Sequence, residues 1–338
     1  MNAPTVSVCI PTYNYAQLIP RAVESVLAQT FEDFELLVYE DASTDNTVEV
    51  MQQYLDDPRV RLVVQETNQG LFANFNQSAS KARGRYVKYL CADDWLDPHF
   101  LERTVPLMDA HPEVALLATA HWHVDYDGVL TAEQVGPFGD GPICPADVAA
   151  EQLALWGNIV GMPTNTLIRR DALESVGGFD ASYAPGADVQ LWLKLLALGD
   201  MAWVPEKLCF WRIHARHTHD YGPDPSESMF RVWEDAPAIE NSAVPEDVAR
   251  IGVDREALHV ALYAAAHVLR GRIGRARALL AMSSKHVGLA RTARLVAAAI
   301  PRMVGDQARR LLAIRRGRLV VYDPRPHGGP PLSEFAQP

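Results

Sequence analysis

The sequence predicts an α/β fold, with a mostly parallel sheet flanked by helices and an α-helical extension at the C-terminus. Strand and helix signals alternate through the first half of the 338 residues, which indicates a sheet covered on both faces. Only helical patterning follows from Glu246 onward. With 48% apolar residues and this length, the chain can form two domains and bury a core without disulfides.

The first two strand–helix units are predicted from short apolar runs and the spacing that follows them. Residues 6–10 form an apolar run, and apolar residues then recur every three or four positions through residues 18–27. Residues 36–39 predict a second strand. Residues 43–45 then supply polar side chains that can cap a second helix.

Two further units follow the same pattern. Residues 60–64 predict the third strand, Gly70 opens the third helix, and residues 86–90 predict the fourth strand. Asp97 and Pro98 then suit the N-cap and the first position of another helix. Because such sheets bind ligands beyond the carboxyl ends of their strands, the residues directly after each strand are the candidate functional residues.

The pattern weakens after about residue 120 and then returns. Residues 136–145 are rich in glycine and proline and predict a mobile connection. Residues 164–168 predict a strand, Asp188 begins a helix, and residues 203–204 and 209–213 predict late strands.

Charge divides the chain. Residues 1–250 carry 16 basic and 37 acidic side chains, whereas residues 251–320 carry 14 basic and three acidic ones. We expect an N-terminal domain over 1–235, a basic helical region over 236–323 and a disordered tail over 324–338. The basic helices suit peripheral contact with an anionic membrane surface, or their arginines face water or pair with the acidic domain. Nucleic acid is not expected, because no reader motif accompanies the charge.

Targeting and redox signals are sparse. The N-terminus shows no signal-peptide pattern, and no apolar run reaches the ~18 residues of a spanning helix. The four cysteines form no C-x-x-C pair. The sequence therefore predicts a protein of the reducing cytoplasm.

An acidic edge is predicted where the strands end. The turn after the first strand, residues 11–14, reads Pro-Thr-Tyr-Asn and lacks the G-x-G-x-x-G of dinucleotide-binding enzymes. Instead, Glu40 and Asp41 follow the second strand, and Asp93 and Asp94 follow the fourth. Such an edge accepts a phosphorylated ligand when Mg²⁺ or Mn²⁺ lies between the charges.

These segments together resemble the family 2 glycosyltransferases of GT-A fold. The resemblance rests on residues 6–14, 25–35, 39–45, 68–70 and 92–94, and it extends more loosely to about residue 220. It implies a metal-dependent, inverting transfer from a nucleotide-diphosphosugar donor, usually UDP-linked, to a hydroxyl of a glycan or lipid-linked saccharide. Mn²⁺ or Mg²⁺ would be the cofactor.

The resemblance also implies roles for individual residues. Asp188 matches the general base, and an inverting transfer needs one base opposite the leaving diphosphate. Asp41 matches the carboxylate that accepts from the base imide, and Glu40 replaces the commoner Asp. Trp95 is a candidate sugar platform for the acceptor. The implied metal ligands are Asp93, Asp94 and His214, with Asp94 the direct ligand. The implied nucleotide-binding residues are Pro11, Thr12, Tyr13, Asn14, Glu40, Asp41, Asn68 and Asp93.

Plainer structural roles compete with these assignments. Asp188 can serve only as a helix N-cap, and Asp41 with Asp45 can serve only to organise the turn at Ser43. The acids at 93–94 can belong to a solvated loop. At the level of the whole protein, the alternatives are a non-catalytic glycan-binding or scaffold protein of the same fold and a sugar nucleotidyltransferase. The latter would need a basic, glycine-rich first turn for a triphosphate.

The histidines near the end of the matching region can also be interpreted as metal ligands. His214, His217 and His219 form a cluster, but zinc is disfavoured because no cysteine accompanies it and the spacing is wrong. A structural role for His214 competes evenly with a role near the metal.

Overall fold

The computed structural model describes residues 3–134, 141–213, 225–269 and 273–293. Over these residues the chain forms a sheet of ten strands with helices on both faces. The strands are β1 (Val6–Thr12), β2 (Phe34–Glu40), β3 (Val60–Val64), β4 (Tyr86–Tyr89), β5 (Trp95–Leu96), β6 (Val114–Val124), β7 (Leu130–Gln134), β8 (Ile143–Cys144), β9 (Thr166–Arg169) and β10 (Asp200–Arg212). The helices are α1 (Ile19–Leu27), α2 (Thr47–Met51), α3 (Leu71–Ser80), α4 (Phe100–Ala110), α5 (Ala146–Trp156), α6 (Arg170–Ser175), α7 (Ala187–Leu196), α8 (Pro225–Asp235), α9 (Glu246–Leu269) and α10 (Ile273–Val287).

The sheet confirms the predicted α/β class and shows where its parallel part ends. Its order is β3-β2-β1-β4-β9-β6-β10-β5, with β7 paired to β6 and β8 to β10. The first four strands are parallel neighbours. Strand β9 runs antiparallel to both β4 and β6, and β10 is again parallel to β6. The reversed strand β9 in the middle, together with the antiparallel strands β5, β7 and β8, therefore makes the second half of the sheet mixed.

The central strand of the second half is missing from the sequence prediction. Strand β6 is buried along its length apart from the half-buried Trp122. Its first five residues, 114–118, are all apolar, and such a run has no period that separates a buried strand from a buried helix. The two late strands predicted at 203–204 and 209–213 are one strand, β10, whose register shifts where it passes residues 204–210.

Two predicted helix starts are displaced. Asp97 is not the N-cap of α4, which begins at Phe100, and its Oδ1 accepts from the backbone N–H of His99 (2.9 Å). Helix α7 begins at Ala187, so Asp188 lies inside its first turn and is not its N-cap. Both differences arise because a polar residue near a helix start can occupy several positions of the first turn.

Both faces of the sheet are buried. Helices α1, α2 and α4 pack on one face, where Val8, Ile10 and Val38 lie. The other face is covered by helices α3 and α5 to α9. Alternate residues of β1 enter the two cores, which explains why this strand is apolar in both registers.

The C-terminal helices continue the second core. Trp233 of α8 and Ala249 of α9 belong to it, and a smaller cluster joins α8, α9 and α10. The described basic side chains divide into two groups. Arg255, Lys285 and Arg291 pair with acids of α8 and α9, whereas Arg275 and Arg277 are exposed.

Some predictions fall partly or wholly outside the described residues. Of the glycine- and proline-rich connection, only residues 141–145 are described, and the predicted disordered tail at 324–338 is not. Within the described ranges, no helix combines the length and the apolar character needed to cross a bilayer.

A polar cluster holds the amino end of β1. The Ser7 hydroxyl donates to Glu35 Oε1 (2.7 Å) and accepts from the N–H groups of Gly84 (2.8 Å) and Arg83 (3.0 Å). Arg83 also donates to Glu35 through Nε and Nη2. A Cβ at Gly84 would lie 2.5 Å from the backbone nitrogen of Ser7, so this turn approaches β1 too closely for another residue.

We expect the Ser7→Ala variant to lose about 1–3 kcal/mol of unfolding free energy, because buried partners in Glu35 and Gly84 would lose a hydrogen bond. Urea denaturation measures this loss. The matched control is Ser80→Ala, since Ser80 is exposed and donates only to Gln77 O (2.7 Å). Equal losses in the two variants would contradict the assignment.

Candidate active site

A cavity of about 620 Å³ opens at the carboxyl ends of β1, β2 and β4. Parallel strands of this kind leave a crevice there because the loops that follow them diverge to opposite faces of the sheet. The lining residues are Pro11, Thr12, Tyr13, Asn14, Tyr15, Asp41, Asn68, Gly70, Leu71, Phe72, Asn74, Phe75, Cys91, Ala92, Asp93, Met162, Pro163, Phe179, Pro185, Asp188 and Trp211.

The first turn is fixed by Asn14. Its φ of 59° is left-handed, and its side-chain oxygen accepts from the N–H groups of Thr44 (2.8 Å) and Asp45 (3.3 Å). Its own N–H donates to Ser43 Oγ (2.8 Å). Asn14 therefore joins the turn after β1 to the turn after β2. Tyr13, which precedes it, is 41% exposed at the cavity.

Asp41 joins β2 to the start of α3. Its two carboxylate oxygens accept from the backbone N–H groups of Gln69 (2.8 Å) and Gly70 (3.0 Å). Asn68 Nδ2 donates to the carbonyl oxygen of Asp41 (3.1 Å). A carboxylate has about four acceptor positions, so Asp41 can hold this loop and still accept from a ligand.

Glu40 is buried beside the cavity and does not line it. Its Oε1 accepts from the N–H of Ser43 (2.6 Å). Its Oε2 and the Oγ1 of Thr12, which stand in register on neighbouring strands, have no hydrogen-bond partner among the described residues. The structure therefore brings Thr12 to the cavity but leaves Glu40 behind it.

The acidic pair after β4 lies together with Cys91. Ligand atoms of Cys91, Asp93 and Asp94 all lie within 4.8 Å of one another. Asp93 lines the cavity, whereas the two oxygens of Asp94 accept from Arg212 N (2.8 Å) and Thr164 Oγ1 (2.5 Å). Sequence reasoning favoured Asp94 as the direct metal ligand, yet Asp93 is the one of the pair that reaches the cavity wall.

A buried lysine, Lys88, is linked to Asp94 through Thr164. Lys88 Nζ donates to Tyr89 O (2.6 Å) and to Thr164 O, and it lies 4.5 Å above the ring of Phe100. Burial lowers the pKa of Lys88 to about 8. Sequence reasoning missed Lys88 and Thr164, although a lysine within the apolar strand Tyr-Val-Lys-Tyr-Leu is itself a signal, since lysines are rarely fully buried unless paired.

The donor set fits a hard divalent cation. Mg²⁺ and Mn²⁺ take one or two carboxylates and complete their shells with water and phosphate oxygens. Burial first, and then the charges of Asp94 and Asp93, raise the pKa of the Cys91 thiol well above its ordinary value. A thiol is a soft ligand, whereas Mg²⁺ and Mn²⁺ prefer oxygen, so the carboxylates are the residues that would hold the metal.

Asp188 lines the same cavity and lies in the first turn of α7. Its Oδ2 accepts from Asn158 Nδ2 (2.6 Å), and its Oδ1 accepts from the N–H of Val189 (2.7 Å). Burial raises the pKa of Asp188 to about 6. A carboxylate of this kind is mostly ionised at neutral pH and basic enough to accept a proton from a hydroxyl.

Aromatic side chains also line this cavity. Phe72 and Phe75 of α3 pack on Phe179, with ring centroids 5.6 and 5.1 Å apart, and Trp211 is a further lining residue. Flat apolar faces of this kind suit the faces of sugar rings.

One predicted site residue, Trp95, lies elsewhere. Trp95 is 6% exposed and outside the cavity, because its ring stacks on Phe210 (4.9 Å) and lies 3.3 Å from the Arg21 guanidinium carbon. It offers no face to an acceptor. His214 lies outside the described residues.

Comparisons with known proteins agree with this geometry. The family model described as glycosyl transferase family 2 matches residues 7–177. An uncharacterised glycosyltransferase of Nostoc sp. is 32% identical over 217 residues, which are 63% of this chain and 66% of that protein. Chondroitin synthase of Escherichia coli is 28% identical over 255 residues, 75% of this chain and 34% of that one. The chain thus spans about two thirds of the first relative and one third of the second.

Solved structures share the fold. TarS 1-349 of S. aureus in complex with UDP-GlcNAc superposes with a TM-score of 0.60 at 19% identity, covering 74% of this chain and 71% of that one. A mannosyltransferase of Pyrobaculum calidifontis in complex with GDP-Man and Mn²⁺ superposes with a TM-score of 0.56 at 19% identity, covering 89% and 81%. Because the family model matches half of the sequence and the sheet carries the family's acidic edge, the chain belongs to glycosyl transferase family 2.

Proposed function

We propose that this protein is an inverting, metal-dependent glycosyltransferase that moves a sugar from a UDP-linked donor to a hydroxyl of a glycan or lipid-linked saccharide. The observation that supports it is the presence of Asp188 in the same cavity as Asp41 and Asp93. A non-catalytic binder of glycans has no need of a carboxylate with a raised pKa in a cavity that two further carboxylates line.

The nucleotide half of the cavity is the part between the first turn and α3. Tyr13 is exposed there for contact with the base, and Asp41 keeps acceptor capacity for an imide N–H. Asp93 and Asp94 would hold a divalent cation, which supplies positive charge to the leaving diphosphate. In this proposal the Lys88 and Thr164 network keeps Asp94 in place.

The reaction half of the cavity surrounds Asp188. Its carboxylate accepts the proton of the acceptor hydroxyl as the oxygen attacks the anomeric carbon opposite the diphosphate. One base suffices, because a cation held by Asp93 and Asp94 would stabilise the charge of the leaving diphosphate, so that no protein acid is needed. Inversion follows from a single displacement, in contrast to the paired carboxylates of a retaining glycosidase.

Donor and acceptor classes are proposed from the neighbours. TarS is described in complex with UDP and with UDP-GlcNAc, and the mannosyltransferase with GDP-Man and Mn²⁺. The relatives named chondroitin synthase and hyaluronan synthase make glycans. These names support a nucleotide-diphosphosugar donor and a saccharide acceptor for this chain.

Asp188→Asn is expected to lower the transfer rate by about 10²- to 10⁴-fold, the usual contribution of a general base. Binding of UDP with Mn²⁺ should stay within about twofold, because Asp188 lies outside the proposed nucleotide half and Asn keeps the shape while it loses the basicity and one acceptor. UDP release from UDP-sugars, with chondroitin and hyaluronan oligosaccharides or water as acceptor, measures the rate, and calorimetry measures the affinity.

The matched control for that variant is Asp171→Asn. Asp171 also lies in the first turn of a helix and accepts from the next N–H (2.8 Å), but it is exposed and outside the cavity. Its rate should equal that of the parent protein. Transfer by Asp188→Asn at the parent rate would refute the proposed mechanism.

Asp93→Asn is expected to weaken UDP binding in Mn²⁺ by about tenfold or more, since one anionic ligand of the cation is lost. In EDTA, the variant and the parent should bind UDP equally weakly. Calorimetry with UDP, dTDP, GDP and ADP tests base, diphosphate and metal together. Asp127→Asn, which removes the same charge from an exposed loop, is the control. Equal affinities with and without metal in the parent would exclude the metal site.

We also propose that the basic C-terminal region contacts anionic membrane surfaces peripherally. Arg275 and Arg277 are exposed on α10, and their charge is expected to add about 1 kcal/mol each near such a surface.

The protein should sediment with phosphatidylglycerol vesicles at low salt and stay in the supernatant at high salt. The joint Arg275→Gln and Arg277→Gln variant should bind more weakly, and the joint Lys81→Gln and Arg103→Gln variant, outside that region, should not. Equal binding to phosphatidylcholine vesicles would contradict the proposal.

A further inference from the structure

The segment that faces Asp188 from the end of α5 is shaped by two glycines. Gly157 and Gly161 have φ values of 93° and 96°, which side chains rarely adopt. A Cβ at Gly157 would lie 2.6 Å from Nη1 of Arg255, and one at Gly161 would lie 2.5 Å from Oδ1 of Asn165. Conformation and space therefore both require glycine at each end of residues 157–161.

Asn158 lies between these glycines in one fixed orientation. Its Oδ1 accepts from the N–H of Gly161 (3.1 Å), and its Nδ2 donates to Gly161 O (3.1 Å) and to Asp188 Oδ2 (2.6 Å). Exchange of the amide oxygen and nitrogen would set two acceptors against each other at Asp188 and two donors at Gly161 N–H. The amide N–H groups therefore point at the carboxylate.

The segment is supported from three sides. Trp192 of α7 donates through Nε1 to Gly161 O (3.3 Å), and Gln134 of β7 donates to Asn158 O (3.5 Å). From the C-terminal region, Arg255 of α9 donates to Leu153 O (3.1 Å) in the last turn of α5. Arg255 is itself buried and paired with Glu256. The C-terminal helices thus buttress the turn that carries Asn158.

We propose that Asn158 is a positioning residue for the transfer reaction: it holds one oxygen of the Asp188 carboxylate and stabilises the ionised form that accepts the proton. The proposal rests on the proposed function for the role of Asp188. The hydrogen bond itself is a property of the fold and can be tested without an acceptor.

The surroundings of Asp188 favour this role because the described groups that touch the carboxylate are amides. Apart from burial, the influences on it are backbone N–H groups and Asn158. Charged side chains on α8, which packs against α7, have partners elsewhere. Arg231 donates to Ser182 O, Asp235 accepts from the Tyr183 hydroxyl, Glu227 pairs with Lys285, and Glu234 contacts His286. On α5, Asp147 accepts from the N–H of Val148, and Glu151 is exposed.

Two substitutions separate this role from a merely structural one. Asn158→Asp keeps an oxygen that can accept from Gly161 N–H, but it loses the donor to Gly161 O and sets a second carboxylate against Asp188. Asn158→Leu has nearly the same size and loses all three hydrogen bonds. If Asn158 only shapes the turn, Asp will be the less harmful change, because it keeps one of the two bonds to Gly161. If Asn158 stabilises the ionised Asp188, Asp will be the more harmful change.

The direct measurement is the pKa of Asp188 by NMR of protein labelled at the aspartate carboxyl carbons, with the signal assigned by its absence in Asp188→Asn. The parent should titrate near 6. Because the charged form loses a donor, Asn158→Leu should shift the titration upward by about one pH unit, a tenfold change in ionisation. Asn158→Asp should shift it at least as far. In both variants, UDP-sugar turnover at pH 6 should fall at least about fivefold, because the ionised fraction falls from about one half to about one tenth, while UDP affinity is unchanged.

The control is Gln152→Ala. Gln152 lies on α5, before the turn that carries Asn158, and its Oε1 accepts from Trp156 Nε1 (2.7 Å). In this variant Asp188 should titrate as in the parent. An unshifted Asp188 titration in Asn158→Asp would overturn the inference, even if Asp188 is essential for transfer. Conversely, full transfer by Asp188→Asn would refute the proposed function while leaving a shifted titration intact. The two failures are therefore distinguishable.

Discussion

The hydrogen bonds that Asp94 accepts from Thr164 and Arg212 join the two halves of this sheet. Asp94 follows β4, Thr164 precedes the reversed strand β9, and Arg212 ends β10. A buried carboxylate without such donors would cost several kcal/mol, so the three chain segments must meet where they do. Lys88 adds a buried cation to the same junction and anchors Thr164 through its carbonyl. The position of the acidic edge depends on this junction.

Asn14 and Asp41, in the proposed nucleotide half of the cavity, have clear structural roles. Asn14 fixes the turn after β2, and Asp41 fixes the start of α3. Their hydrogen bonds make the cavity rigid before a ligand arrives, which reduces the entropy lost on binding. The plain structural role for Asp41 and the functional one are therefore compatible. Asp188 differs, because it is held by a side-chain amide on a separate turn and its basicity can be tuned by that amide.

The sequence by itself determined the local features of the protein. Alternating apolar runs fixed the first four strands and their helices, since each depends on neighbours a few positions apart. The Pro-Thr-Tyr-Asn turn and the acids after β2 and β4 follow directly from strand ends, so Tyr13, Asp41 and Asp93 could be assigned to one edge before the fold was known. The motif also sufficed to identify the family.

Tertiary structure alone decided what depends on residues far apart in the chain. The apolar run of β6 has no period, and only pairing with β9 and β10 made it a central strand. Trp95 was buried by Phe210, which lies more than a hundred positions away. Asn158 and Asp188 are separated by 30 residues and meet through one side-chain hydrogen bond, which no local pattern encodes. Long-range contacts of this kind are set by how helices and strands pack, so no short stretch of the sequence predicts them.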